Sequence, residues 1–475
     1  MSERIGQGNH LRGGVMTTTI LDESTIPVIR GRFTGELLEP GDDGYDDARA
    51  IFNGMIDRRP RLIVRCTGAA DVVAGILLAR ETGLPLSVKG GGHGVNGHAV
   101  CDDGIVLDLS TMTRIDVDPE ARVARAQAGV KWGEFDAATQ AHGLATTGGR
   151  VTTTGIAGLT LGAGSGWLER MYGFTSHNLL SADVVTADGQ MVRASEDENA
   201  ELFWGLRGGG GNFGVVTRFE YRLHEVGPMV TGGMLLWPIE QAGEVLRFYR
   251  DWMESAPDEV AGGGALLVAP PEPFVPEELR GKPVMAVIPI SFGDPELLRP
   301  IREFGSPVAD LVGPMPYLAV QQLIDPPNQP GQFNYWKAEA VEELSDDLID
   351  LVVGHAKGLG SPFSNAFFQP LGGALARLDP DATAITPGVG KWILHAIGVW
   401  ATEAETESEL AWVRGWGELT APYTGAGAPL TFSADTGDER VRGTFGEEKY
   451  ARLVALKDEY DPENLFRLNQ NIKPS

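Results

Sequence analysis

Apolar residues recur along this chain with two periods, and the switches between them mark out its elements. Short apolar runs at Leu62–Cys66, Leu86–Val88, Ile105–Asp108, Leu179–Ala187 and Val215–Leu223 predict strands. After the first run, Val72, Val73, Ile76 and Leu77 fall at helical spacing, with Asp71 as the predicted N-cap and Gly83 as the stop. A second helix, about Lys131 to His142, puts Trp132 and Phe135 on one face and ends at Gly143. Asp188-Gly189 reads as a tight turn joining Leu179–Ala187 to a partner strand, Gln190–Ala194, and Asn199 to Leu206 as a short helix. The succession strand, helix, strand, loop over 62–98 is a unit in which ligands are commonly held outside the strand ends.

Around Val226 the pattern changes. Residues 229–435 hold most of the prolines, including Pro270-Pro271 and Pro326-Pro327, and alternate strand-like runs with amphipathic helices such as Leu344–Val353. That is the pattern of an inserted α+β unit. The tail returns to a helix, about Phe445 to Tyr460, with Tyr450, Leu453, Val454 and Lys457 on a common face.

Three loops interrupt the first part with glycine: Lys89–His98 (KGGGHGVNGH), Thr147–Gly173 and Arg207–Gly214. Glycine lacks a Cβ, so such loops can bring backbone N–H groups directly against an anion. In the first loop one imidazole, His93, stands among glycines. The run Gly162–Gly166 invites a nicotinamide-cofactor reading, but its GxGxG spacing lacks the third glycine and no clear strand precedes it. Three loops and a lone histidine point instead to one long anionic cofactor, and FAD fits that description. Read blandly, the same glycines only mark turns, which is the reading for Gly189.

Size and charge narrow the classes. At 475 residues the chain exceeds one ordinary core. Its net charge of −26 disfavours binding to nucleic acid or to an anionic membrane surface. Cys66 and Cys101 are too few for a disulfide framework or a multi-cysteine metal site. No basic segment followed by an apolar one opens the sequence, so a cytoplasmic location is expected; Met1 and Met16 are alternative starts. The remaining histidines show no metal-ligand spacing, and no metal is expected.

The motifs KGGGHGVNGH, GIAGLTLGAGSGWLERMYG, ELFWGLRGGGGNFGVVTRFEYRL and YDPENLFRLNQNIKP together resemble those of the berberine-bridge-enzyme-like FAD-linked oxidases, covalent flavoproteins of the vanillyl-alcohol-oxidase type. The likeness runs from about residue 55 to the C-terminus, and is closest over 60–226 and 440–475. It implies an α+β fold with a two-part FAD-binding domain (PCMH type), residues 27–226 and 437–475. A substrate domain, 227–436, lies between, and 1–26 is an extension. It implies a single covalent 8α-histidyl link to FAD through His93. The pyrophosphate falls to the backbone at Lys89, Gly90, Gly91, Gly92, Gly94 and Val95. The rest of the cofactor falls to Gly155, Gly158, Gly162, Gly209 and Val216, with Asn469 and Asn471 close by. Many relatives add a cysteinyl link at a position occupied here by Val151. Thr154 takes the place of an oxygen gate and is close to valine in shape.

Departures concern the substrate side. The family's Tyr-x-Asn, whose tyrosine commonly serves as base, is replaced in Ala428–Ser433, with Pro429 on the tyrosine position; Tyr423 lies six residues earlier. An arginine-bearing run is replaced by Thr383–Lys391. Tyr335 becomes the candidate base, because on a strand it shares a face with Lys337, whose cation would favour the phenolate. Tyr172, Gln369 and His98 are further candidates. Read blandly, Tyr335 and Trp336 are core aromatics, Lys337 a solvated charge, His98 a loop cap and His395 a buried strand histidine. The implied activity is an oxidase that takes a hydride from an alcohol, a sugar or a hydroxylated secondary metabolite, with O2 as acceptor and H2O2 as product. The alternative is a dehydrogenase or an oxidative cyclase that does not use O2 productively.

Overall fold

The computed structural model describes residues 25–386, 390–425, 430–434 and 437–475. Most of the expected 1–26 extension, and Pro429, lie outside the described residues.

The first sheet runs Glu36–Leu38, Leu62–Arg65, Ile105–Asp108, Leu86–Lys89, and its last three strands are parallel. Those three are buried on nearly every residue, which is why they read as apolar runs without alternation. Helix Ala69–Thr82 makes the crossover and ends at Gly83, whose φ of 68° suits glycine. Asp71 lies inside the first turn; the cap position belongs to Gly68. The Asp71 carboxylate instead accepts backbone N–H bonds from Thr34, Gly35 and Thr67, which tie the preceding chain to the helix. An antiparallel sheet follows, in the order Ile115–Asp118, Val123–Gln127, Val215–Arg222, Leu179–Val185, Met191–Ser195.

Residues 229–400 build a nine-stranded sheet. Helices Ala242–Ser255, Asp346–Ala356 and Thr406–Thr420 pack on one face through a core that includes Leu246, Val352 and Trp416. The opposite face meets the first part of the chain, where Ala265 and Phe367 share a core with Trp167 and Leu168.

The tail joins the first core through Val441, Phe445, Tyr450 and Leu453. Its helix, Asp438–Tyr460, breaks at Gly446, where φ is 72°. Lys457 and Asp461 are fully buried, 2.7 Å apart, and the lysine Nζ also donates to the carbonyls of Asn212 and Phe466. A buried ion pair tolerates desolvation only when its remaining hydrogen-bonding capacity is met, as here. It clamps the C-terminal segment onto the third glycine loop.

Candidate active site

A cavity of about 450 Å³ lies between the glycine loops and the free face of the large sheet. All three loops reach it. Gly90–Gly94 contribute from the first; Thr154, Gly155, Gly158 and Gly162 from the second; and Gly209 from the third, followed by Val216 at the start of its strand. Asn469 and Gln470 close it from the tail. The loops touch so closely that side chains cannot be fitted: a Cβ on Gly91 would lie 2.4 Å from the Gly155 nitrogen.

His93 opens onto this cavity. Its ring stacks on Phe52, with centroids 3.8 Å apart and planes 19° apart, and the Phe52 N–H donates to the Gly92 carbonyl. Its Nε2 is buried and has no hydrogen-bond partner among the described residues. Burial lowers its pKa to about 4, so the imidazole is neutral and carries a lone pair at physiological pH. His98 also lines the cavity, and burial lowers it to about 4. Val151 and Thr154 stand on the same wall, while both cysteines are buried elsewhere.

Several expected residues are placed differently. The Lys89 side chain turns from the cavity to the Ala48 carbonyl and to Asp108, 3.5 Å away. Val95 packs with Phe52 and Trp336, and Asn471 is not on the cavity wall. Asn469 is, but its Nδ2 is held by the carbonyls of Gly211 and Phe466.

The candidate bases are the larger correction. On strand Phe333–Val341 the even-numbered residues from Asn334 to Ala340 are buried, and the odd-numbered ones up to Glu339 are partly exposed. Trp336 faces the cavity. Tyr335 and Lys337 therefore face the other way, toward helix Thr406–Thr420. There the Arg414 guanidinium lies 5.7 Å from the Tyr335 ring centre, and Lys337 packs against Gly417. The two do share a face, as expected, but it is the wrong one. Tyr172 also misses the cavity, stacking on His224 at 3.7 Å. Burial raises its pKa, away from a base's range. Among the described residues lining the cavity there is no tyrosine, lysine or carboxylate.

What the sheet presents instead is two cross-strand rows. Ala265, Phe367 and His395 are register neighbours, and so are Leu267, Asn365, Ile397 and Trp336. All seven line the cavity. His395 was read as a buried strand histidine; it is buried, and it also faces the cavity. Burial takes its pKa down to about 3. Its Nε2 lies 3.1 Å from Gln369 Oε1, while Gln369 Nε2 donates to Ser165 Oγ at 2.9 Å and to Glu169 Oε1 at 2.7 Å. Glu169, a carboxylate and hence only an acceptor, pairs with Arg150 at 2.9 Å. The direction of each bond follows: Gln369 must present its oxygen to His395, so Nε2 carries the proton and Nδ1 the lone pair.

Arg150, Glu169, Asn365 and Phe367 escaped sequence reasoning. Alternation along Asn365-Ala-Phe-Phe-Gln369 and His395-Ala-Ile397 hinted at a shared face. Nothing in it distinguished a cavity from a core.

Comparison with known proteins agrees with this geometry. Residues 60–195 match the family described as FAD binding domain, and residues 424–473 the family described as Berberine and berberine like. The chain is 32% identical over 464 residues to (R)-6-hydroxynicotine oxidase of Paenarthrobacter nicotinovorans, covering 93% of this chain and 97% of that one. It is 29% identical over 467 residues to the FAD-linked oxidoreductase YvdP of Bacillus subtilis (strain 168), covering 94% and 99%. The crystal structure of 6-hydroxy-D-nicotine oxidase from Arthrobacter nicotinovorans superimposes with a TM-score of 0.83 at 30% identity, over 93% of this chain and 98% of that one. Chitooligosaccharide oxidase shares the fold, with a TM-score of 0.81 at 21% identity, over 95% and 100%. A cavity walled by glycine loops and closed by the C-terminal segment, on a fold shared along nearly the whole chain, has one explanation: the protein belongs to the berberine-bridge-enzyme-like FAD-linked oxidoreductases, flavoproteins of the vanillyl-alcohol-oxidase type.

Proposed function

We propose that the chain is an oxidase that holds FAD through His93 alone and oxidises a small hydroxylated molecule, with O2 as acceptor and H2O2 as product. Residues 27–226 and 437–475 would form the FAD-binding part and residues 227–436 the substrate-binding part. The observation that carries this reading is the neutral imidazole of His93, its Nε2 without a hydrogen-bond partner among the described residues, within a glycine loop on the cavity wall. The residues present fit the cofactor. Loops in contact at Gly91 and Gly155 leave flat backbone for a ring system, and the buried side-chain oxygen of Asn469 has no hydrogen-bond partner among the described residues. With valine at position 151, no thiol is available for a second link.

Bound FAD supplies the two-electron acceptor for a hydride from the substrate carbon. The protein's part is to hold the substrate and take its hydroxyl proton. His395 is placed for this, on the cavity wall with Gln369 leaving Nδ1 as the proton acceptor. Arg150 and Glu169 hold Gln369 in that orientation. Thr154, small and on the cavity wall, leaves a passage for O2.

Anaerobic reduction by an alcohol followed by re-aeration tests the acceptor. Stoichiometric peroxide is expected, and Thr154→Leu should slow reoxidation well beyond any change in reduction. Reduced enzyme that stays reduced in air would point to a dehydrogenase or cyclase instead.

A further inference from the structure

The oxidase reading leaves the substrate open among alcohols, sugars and hydroxylated secondary metabolites. We infer that the site takes a neutral, largely apolar ring compound carrying one alcohol group, and discriminates against sugars and ammonium ions. This narrows the oxidase reading and rests on it.

The argument comes from the two sheet rows facing the cavity. Leu267, Phe367, Ile397 and Trp336 present hydrocarbon or aromatic surface, and only Asn365 and His395 offer hydrogen bonds. Three neighbouring polar groups are engaged by the protein. Gln369 is held by His395, Ser165 and Glu169, and the Asn328 amide donates to the Ile324 carbonyl at 2.7 Å. The Trp336 Nε1–H is taken by Asn334 at 3.1 Å. Arg150 is the one charged side chain on the wall among the described residues; it is paired with Glu169 and lies against the rings of Trp167 and Phe367, with its Nε unpartnered among the described residues.

A pyranose would bring several hydroxyls to a sheet face whose polar points are Asn365 and His395, the Asn365 amide already donating to the Phe363 carbonyl at 3.4 Å, and each hydroxyl left unpaired costs about 5- to 150-fold in affinity. An ammonium would enter a wall without a carboxylate to meet it. A ring with a single alcohol, by contrast, buries its apolar face on Leu267, Phe367 and Ile397. Its hydroxyl then goes to His395, the group in place to take the proton.

The test separates binding from turnover. The holoenzyme is titrated anaerobically with cinnamyl alcohol, cyclohexylmethanol, D-glucose, cellobiose and benzylammonium, following perturbation of the visible flavin spectrum and, separately, its bleaching. The two alcohols are expected to bind at least about 25-fold more tightly than either sugar, the cost of two or more unpaired hydroxyls. They should also bind more tightly than benzylammonium. Leu267→Asp should improve benzylammonium binding by about 10- to 150-fold, the worth of one charge-assisted hydrogen bond. Glucose, cellobiose or benzylammonium binding as well as the alcohols in the unsubstituted enzyme would overturn the inference, even if peroxide is formed and the oxidase reading survives. Alcohols that bind preferentially but never bleach the flavin would support the substrate class while sinking the proposed oxidation.

Discussion

The two walls of the cavity are built on different principles. On the cofactor side the wall is largely backbone: loops meet at Gly91 and Gly155, with the His93 side chain among them. On the opposite side the wall is a strand face made of side chains in register, the proposed substrate side. A backbone wall needs glycine at particular positions, and glycine is visible in sequence. A side-chain wall needs only that residues on separate strands align, and alignment is a property of the sheet. The cofactor half is therefore close to that of its relatives, while the substrate half has no Tyr-x-Asn and relies on other residues.

Substitutions on the two walls should separate cleanly. His93→Ala is the largest expected effect. Protein precipitated in acid should lose all of its flavin, where the unsubstituted enzyme keeps it; flavin still attached in the variant would exclude His93 as the link. On the opposite wall, His395→Ala should leave the flavin attached and slow its reduction by about 10²- to 10⁴-fold, the usual worth of a general base. Tyr335→Phe, on the far face of the same sheet, should change that rate little. A stopped-flow comparison of the two decides between the faces, because the reverse result would restore Tyr335.

Gln369→Leu probes the link between the walls, removing the hydrogen bond that sets the His395 tautomer. A reduction rate lower by about 2- to 12-fold is expected, corresponding to one hydrogen bond. Its pH profile should shift as well, which simple loss of packing would not produce. The smallest effect is that of pH on the unsubstituted enzyme. A histidine must be neutral to act as base, and burial holds His395 at about 3, below its ordinary 6.5. Reduction should thus be level from about pH 5 upward and fall only in more acidic solution, as protonation sets in. A midpoint near 6.5 would mean that the base is a solvated imidazole or another group.

Strands Leu62–Arg65, Leu86–Lys89 and Ile105–Asp108 were legible because buried parallel strands are apolar throughout. Gly83 was legible as a helix stop for its positive φ. Asp71 was misread because a carboxylate near a helix start serves equally well as a cap or as an anchor for a distant segment, and here Thr34 and Gly35 supply the donors.

The sequence by itself determined the cofactor half: three glycine loops, a histidine among them, no cysteine at position 151, and a tail whose Lys457 lies on the helix's apolar face. These are local facts, set by the backbone freedom of glycine and by chemistry within a few residues. Only the tertiary structure decided the substrate half. Period-two alternation places Tyr335 with Lys337 and opposite Trp336, but which set meets the cavity depends on the helix Thr406–Thr420 covering one face of the sheet. His395 and Gln369 lie 26 positions apart, and Glu169 lies 200 from Gln369. Nothing local encodes their meeting, because it is made by strand register and by packing one part of the chain on the other.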